Sequence, residues 1–148
     1  MTCPANASHM SAWSIRCGTP SDVDAVLDLW AASGAAPTVT DNVESLRSLI
    51  AHDPDALLVA EASGRIVGSL IAAWNGWRGS FYRLAVHPDH RRRGLATRLV
   101  REGEECLRDR GAVRLDAIVT ADDATAMALW AAVGYARQSN RARFIRNF

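Results

Sequence analysis

Lysine is absent: all 17 basic residues are arginine, so the N-terminus is the only amine the chain itself carries. Cysteine is scarce, and Cys3, Cys17 and Cys106 are odd in number, far apart and outside any C-x-x-C spacing. That pattern argues against a disulfide framework or a zinc site and predicts reduced thiols in a cytoplasmic protein. His87-Pro88-Asp89-His90 is too short and proline-broken to supply converging ligands, so no metal is expected. No apolar run approaches the roughly 18 residues that a membrane helix needs, so no membrane partner is expected. Residues 1–12 lack the basic start and apolar middle of a signal peptide and read as a disordered leader. An excess of one charge is also missing: the formal net charge is +1, which gives no reason to expect a broad nucleic-acid surface. What remains is ordinary for one globular domain over residues 13–148, with 49% apolar and 22% charged residues in a chain of 148.

The most informative stretch is LAVHPDHRRRGLATR, from Leu84 to Arg98. It begins as an apolar strand end, turns at Pro88, passes three arginines and enters a helix at Gly94. The first N–H groups of a helix have no intrahelical acceptor, and the helix dipole adds partial positive charge there. A glycine followed by small residues lets that backbone come close to an anion. With Arg91, Arg92 and Arg93 beside it, the turn reads as a polyphosphate seat between a strand and a helix.

Around it the chain predicts a strand at Trp13–Cys17, a helix capped by Ser21 or Asp22 and running through Trp30, and a second helix over Asn42–His52. Strands follow at Ala56–Glu61, Ile66–Trp74 and Ser80–Val86, joined by tight turns into an antiparallel meander. A helix over Leu95–Arg110 then crosses to a strand at Ala112–Thr120, which implies a parallel neighbour. Leu95, Leu99, Cys106 and Leu107 form the buried stripe of that helix, with Cys106 as a small core residue. Arg98–Glu102, Arg101–Glu105 and Glu104–Arg108 are expected as i,i+4 pairs on its wet face. A last helix over Asp122–Val133 ends at Gly134, and a final hairpin turns at Ser139-Asn140.

Val86, Pro88, Arg91, Gly94, Ala96 and Leu99 resemble the Arg/Gln-x-x-Gly-x-Gly/Ala signature of the GNAT family of N-acetyltransferases, here Arg91-Arg92-Arg93-Gly94-Leu95-Ala96. A second stretch, DDATAMALWAAVGY, resembles that family's Asn-x-x-Ala-x-x-Leu-Tyr-x-x-x-Gly-Phe/Tyr helix, with Asp123, Ala126, Leu129, Trp130, Gly134 and Tyr135 in the matching places. In texture the chain is similar to the small bacterial members, such as the ribosomal-protein alanine acetyltransferases.

The resemblance implies an α/β (α+β) fold with a mixed, mostly antiparallel sheet that splays between strands four and five and is flanked by helices. It implies acetyl-CoA as cosubstrate. Its diphosphate would take the amides of Arg92, Arg93, Gly94, Leu95, Ala96 and Thr97, with charge from Arg91 to Arg93. Its pantetheine arm would pair with Leu84, Ala85 and Val86, and an N–H near Val86 would polarise the thioester carbonyl. Asp123 stands where asparagine is common. Trp130 stands where many members have the tyrosine that protonates the leaving thiolate. An indole N–H is not a usable acid, so transfer is expected to be slowed or assisted by water, with Trp130 as core filling the alternative.

The acceptor would be a primary amine, either on a small molecule or at a protein N-terminus, attacking the acetyl group directly in a ternary complex. The absence of lysine excludes self-acetylation on a side chain. An alkyl amine is mostly protonated at neutral pH, so a base is needed; Glu61, Tyr82, His87, Asp116 or a chain of waters are the candidates. The resemblance also assigns residues 30–41 to the wall of the acceptor pocket. Two alternatives stand beside the enzyme: a catalytically degenerate acyl-CoA-binding regulator of the same fold, and an arginine-rich module for RNA or ribosomes. A homodimer stays open.

Overall fold

The structure is a computed structural model that describes residues 12–148; most of the expected leader lies outside the described residues. The chain divides into two compact units, one ending at Ala117 and one running from Ile118 to Phe148.

The first unit is built on a five-stranded sheet in sequential order, β1 (Ser14–Cys17), β2 (Leu57–Ala62), β3 (Arg65–Trp74), β4 (Gly79–Val86) and β5 (Leu115–Ala117). The first four strands pair antiparallel and β5 joins β4 in parallel. Two helices, α1 (Val23–Ala32) and α2 (Val43–His52), join β1 to β2, and α3 (Leu95–Asp109) joins β4 to β5. Asn42 caps α2 by accepting from Ser45 N at 2.8 Å, which satisfies one of the N–H groups that a helix start leaves unpaired.

Alternation along the strands serves both sheet faces. On one face Val23, Val26, Leu29 and Trp30 of α1 and Leu46 and Ile50 of α2 pack with Leu57, Val59, Ile71 and Ala85. On the other, α3 buries Leu95, Leu99, Val100, Gly103, Cys106 and Leu107. Gly103 is what allows the close approach: a Cβ there would lie 2.7 Å from the Phe81 ring and 3.1 Å from Leu70. The wet face of α3 carries an Arg101–Glu104 pair at 2.7 Å, with i,i+3 spacing. Cys106 is buried as expected, but it is disulfide-bonded; among the described residues only Cys17 is a free thiol, which corrects the expectation of reduced thiols.

The strand expected over Ala112–Thr120 is confined to Leu115–Ala117, because β4 stops pairing with it at Phe81↔Ala117. The second unit holds α4 (Ala124–Ala132), with Asp123 at its N-cap accepting from Ala126 N at 3.0 Å. Trp130 is buried and meets Tyr135 edge-on, with ring centroids 5.0 Å apart. The turn at Ser139-Asn140 forms, but no paired strands flank it among the described residues. The segment around it, with Phe144, Ile145 and Phe148 largely exposed, lacks the alternating apolar face that would hold a hairpin to a sheet.

Candidate functional site

The site is laid out along β4. Its first residues pair with β5 at Gly79↔Leu115, Ser80↔Asp116 and Phe81↔Ala117. Beyond Phe81, β4 continues to Val86 with no β5 partner among the described residues. The cause of the parting lies in the β3–β4 ladder. Ile71 pairs with Tyr82 and Ser69 with Ala85, so Arg83 and Leu84 oppose Leu70 alone. This is a β-bulge, with Arg83 in the left-handed region at φ 52°. A bulge bends the strand that carries it and raises the local twist, and this one sits directly after the last β5 pair.

Buried hydrogen bonds hold the bulge. The Trp30 indole donates to Ser69 Oγ at 2.8 Å, and Ser69 in turn donates to the Arg83 carbonyl at 3.3 Å. The Arg83 side chain reaches the loop between α1 and α2, where it donates to Ala36 O at 3.0 Å and pairs with Asp41. Its guanidinium also lies 5.3 Å from the Trp30 ring centre. The segment that the resemblance assigns to the acceptor wall is therefore tied to the bulge.

At the other end of β4, His87 N–H donates to Val67 O at 2.8 Å. Backbone groups alternate between the two edges of a strand, so those of Val86 turn toward the open edge. Val86 O accordingly accepts from Arg91 Nε at 3.4 Å. A tight turn over Pro88–His90 follows, and the Trp13 indole donates to His90 Nδ1 at 3.1 Å. The chain then passes through two left-handed residues, Arg92 at φ 61° and Gly94 at φ 84°, into α3. Such turns direct successive N–H groups into one concavity that suits an anion. Gly94 offers no side chain to cap α3, and a Cβ placed on it would meet nothing within 4 Å. Glycine is favoured there by the backbone angle, and the space above it is open. Leu95 is buried, anchoring the helix start, while Ala96 and Thr97 are half-buried.

The structure separates the expected site residues into groups. Leu84, Ala85, Val86 and the turn from Arg91 to Thr97 form one continuous path along β4 and into α3. Arg92 and Arg93 are exposed. Arg91 is committed elsewhere, since its Nη2 donates to Ser33 O at 2.7 Å and ties the turn to the end of α1. Tyr82 and Asp116 come together. Asp116 pairs with Ser80, and Tyr82 lies two residues beyond Ser80 on the same sheet face. Glu61 stands apart on β2, where it accepts from Arg16 at 3.0 Å. The same arginine holds Asp22 at 2.7 Å and, with the Thr19 N–H, lowers the Asp22 carboxyl to about 2 against burial that opposes it. His87 accepts from Asp89 N at 3.2 Å within its own turn. In the second unit, Asp123 caps α4 and Trp130 packs on Tyr135.

Arg83, Ser69 and the bulge itself carry only one signal in the sequence. Strict alternation would put Arg83 in phase with the buried residues Phe81 and Ala85, and an arginine at such a position marks an irregular strand.

Residues 23–135 match the family model described as Acetyltransferase (GNAT) family. An acetyltransferase of Pectobacterium atrosepticum is 36% identical over 121 residues, covering 82% of this chain and 86% of its own. Among solved structures, Ard1 from Thermoplasma volcanium superposes with a TM-score of 0.78 at 18% identity, covering 87% of this chain and 86% of its own. The PaiA N-acetyltransferase from Thermoplasma acidophilum, solved in complex with coenzyme A, gives 0.77 at 13% identity, covering 88% and 94%. A bulged fourth strand parting from a parallel fifth, a glycine-opened helix after it, and a family model matched over most of the chain lead to one statement: the chain belongs to the GNAT family of acetyltransferases.

Proposed function

We propose that the protein transfers an acetyl group from acetyl-CoA to a primary amine by direct attack within a ternary complex. One observation carries this reading: a single strand, β4, has its bulge at the point where it leaves β5 and the anion-accepting turn at its other end. An extended thioester with a diphosphate at its far end fits that layout. The fold likeness to a structure solved with coenzyme A supports it.

Each part of the path has its own chemistry. The amides from Arg92 to Thr97 donate to the diphosphate oxygens, and Arg92 and Arg93 add charge. A hydrogen bond to a charged group contributes roughly 1.5–3 kcal/mol, so a few such amides suffice to anchor the ligand. Arg91, already donating to Val86 O and Ser33 O, acts by holding the turn. The open edge from Leu84 to Val86 takes the pantetheine arm as an added strand. The Val86 N–H, turned to that edge, stabilises the negative charge that develops on the thioester oxygen during attack.

The amine approaches from the sheet face that carries Tyr82 and Asp116. As an ammonium it must lose a proton, and Asp116, in register with Ser80, is the group we assign to receive it through water, with Tyr82 as its neighbour. Trp130 does not act as an acid. A thiol's ordinary pKa near 8.5 makes its thiolate a tolerable leaving group at neutral pH, and water completes the protonation.

The test has two stages. Calorimetry with acetyl-CoA is expected to show one site per chain. Thiol release with a panel of amines is then expected to depend on the amine, with the acetylated product found by mass spectrometry. A chain that binds no acetyl-CoA refutes the seat. A chain that binds it but acetylates no amine refutes the transfer.

A further inference from the structure

Beside the parting strands, under the C-terminal end of α2, lies a cavity of about 180 Å³ lined by Leu49, His52, Asp53, Trp74, Arg78 and Tyr82 among others. Ser80 also lines it, and Ser80 is the residue that pairs with Asp116 across β4 and β5. The cavity therefore adjoins the face from which the amine approaches. It is small: sites for drug-sized ligands run to about 300–1,000 Å³, so what enters is a compact group.

The polar lining is one-sided. Asp53, its only carboxylate, is held by Arg110 through contacts of 2.9 and 3.1 Å and is thereby neutralised. The Asn75 carbonyl is occupied by the turn it closes, accepting from Trp77 N at 2.9 Å and Arg78 N at 2.7 Å, which leaves its NH₂ as a donor. The Ser80 and Tyr82 hydroxyls can donate as well. Arg78 has no carboxylate partner among the described residues, and its guanidinium lies 4.0 Å from the centre of the Trp77 ring. Stacking of this kind orients the guanidinium fork before a ligand arrives.

We infer that this cavity is the acceptor subsite and that Arg78 reads a carboxylate, so the acceptor is a small amino acid presenting its amine toward Asp116. One uncompensated guanidinium, with the His52 imidazole and the N–H and O–H donors of Asn75, Ser80 and Tyr82 around it, matches a singly charged carboxylate. A phosphate carries more charge than this lining balances. The planar fork of Arg78 suits the two oxygens of a carboxylate. The inference rests on the acetyltransferase reading above.

The experiment compares amino acids with the amines left by removing their carboxylate: alanine with ethylamine, leucine with 3-methylbutylamine, lysine with cadaverine. Steady-state thiol release is measured for the natural chain, Arg78→Met and Arg78→Lys, with acetyl-CoA affinity measured on each by calorimetry as the check on folding. For at least one pair, the acid is expected to be used with a kcat/KM about tenfold or more above its amine, the worth of one charge-assisted bond. Arg78→Met is expected to erase that preference through the KM of the acid, with acetyl-CoA affinity unchanged, and Arg78→Lys to restore part of it.

Equal use of acid and amine in every pair overturns the inference while leaving the acetyltransferase reading intact. So does a preference that survives Arg78→Met. Acetyl-CoA binding with no turnover of any acid also overturns it. Failure to bind acetyl-CoA at all removes both.

Discussion

Gly94 is the residue where backbone strain and charge can be separated by experiment. At φ 84° and ψ 8° it occupies the left-handed region, and a side chain there costs roughly 1–2 kcal/mol. Since a Cβ would meet no atom within 4 Å, Gly94→Ala adds no clash. Its whole effect is conformational, a fall in Tm of about 2–4 °C per kcal/mol for a chain of this size. Gly94→Asp carries similar strain and adds a carboxylate facing the proposed diphosphate. Two unit charges about 4 Å apart repel by about 1 kcal/mol in bulk water and about 4 kcal/mol at an effective dielectric constant of 20. The seat is exposed, so the loss in acetyl-CoA affinity is expected between about fivefold and several hundredfold. Titration calorimetry on both variants at low and high salt reads it directly. Ala is expected to bind within a few-fold of the natural chain and Asp far more weakly, with the gap narrowing as salt rises. Equal affinities for the two variants would place the diphosphate elsewhere.

Four further outcomes are expected. Trp130→Tyr puts an O–H acid where the family commonly has one and raises turnover by up to about 10², while Trp130→Phe leaves it within threefold; equal thiol-release rates for all three chains would remove this position from the chemistry. Asp22, held at about 2 against an ordinary 3.8, contributes stability above pH 4 that is lost as pH falls from about 4 toward 2. Because the Arg16 side chain is 32% exposed, the contribution is about 1–2 kcal/mol, and chemical denaturation of Asp22→Asn across that range should show a flatter pH dependence. Gly103→Ala gains about 1 kcal/mol of helix propensity, but its Cβ would meet the buried Phe81 ring at 2.7 Å; overpacking of about 1–3 kcal/mol outweighs the gain, and a raised Tm would contradict this. Ser69→Ala leaves the Trp30 indole and the Arg83 carbonyl without their present partner, at about 1–3 kcal/mol for each group, and should lower kcat together with Tm.

Much of the fold is legible in the chain because its signals are local. Asn42 is a good cap wherever it precedes a helix, and α2 begins after it. Leu95, Leu99, Cys106 and Leu107 recur at helical spacing, and α3 buries all of them. The turn into α3, the proposed diphosphate seat, is legible for the same reason: a glycine before a helix, with arginines ahead of it, is a pattern contained within a few residues. What stayed hidden depends on partners distant in sequence. Nothing in Leu115–Ala117 tells that its neighbour will leave after three pairs, because the cause is a bulge two strands' pairing away, set by Ser69 and Trp30. Glu61 reads as a free carboxylate until Arg16, 45 residues earlier, is seen to hold it. Arg91 also donates to Ser33 O, 58 residues earlier, a tie that the local pattern of arginines and glycine does not reveal.

The bulge has consequences on both edges and both faces of β4, which makes that strand more than a support for the turn that follows it. By opposing Arg83 and Leu84 to Leu70 alone, it brings Tyr82 and Ala85 to the same face, where an unbroken strand would set them opposite. That shift places Ala85 in the core with Trp30 and Ile71 and leaves Tyr82 on the same face as Ser80. It also bends β4 away from β5, so that Val86 can offer backbone groups to a ligand. The residue in the strained position, Arg83, reaches back to Ala36 and Asp41 and fixes the loop between α1 and α2. Glycine would relieve the backbone at position 83 and forfeit that tie. An arginine is kept at φ 52° because one side chain there couples the opening of the sheet to the placement of the loop beside it.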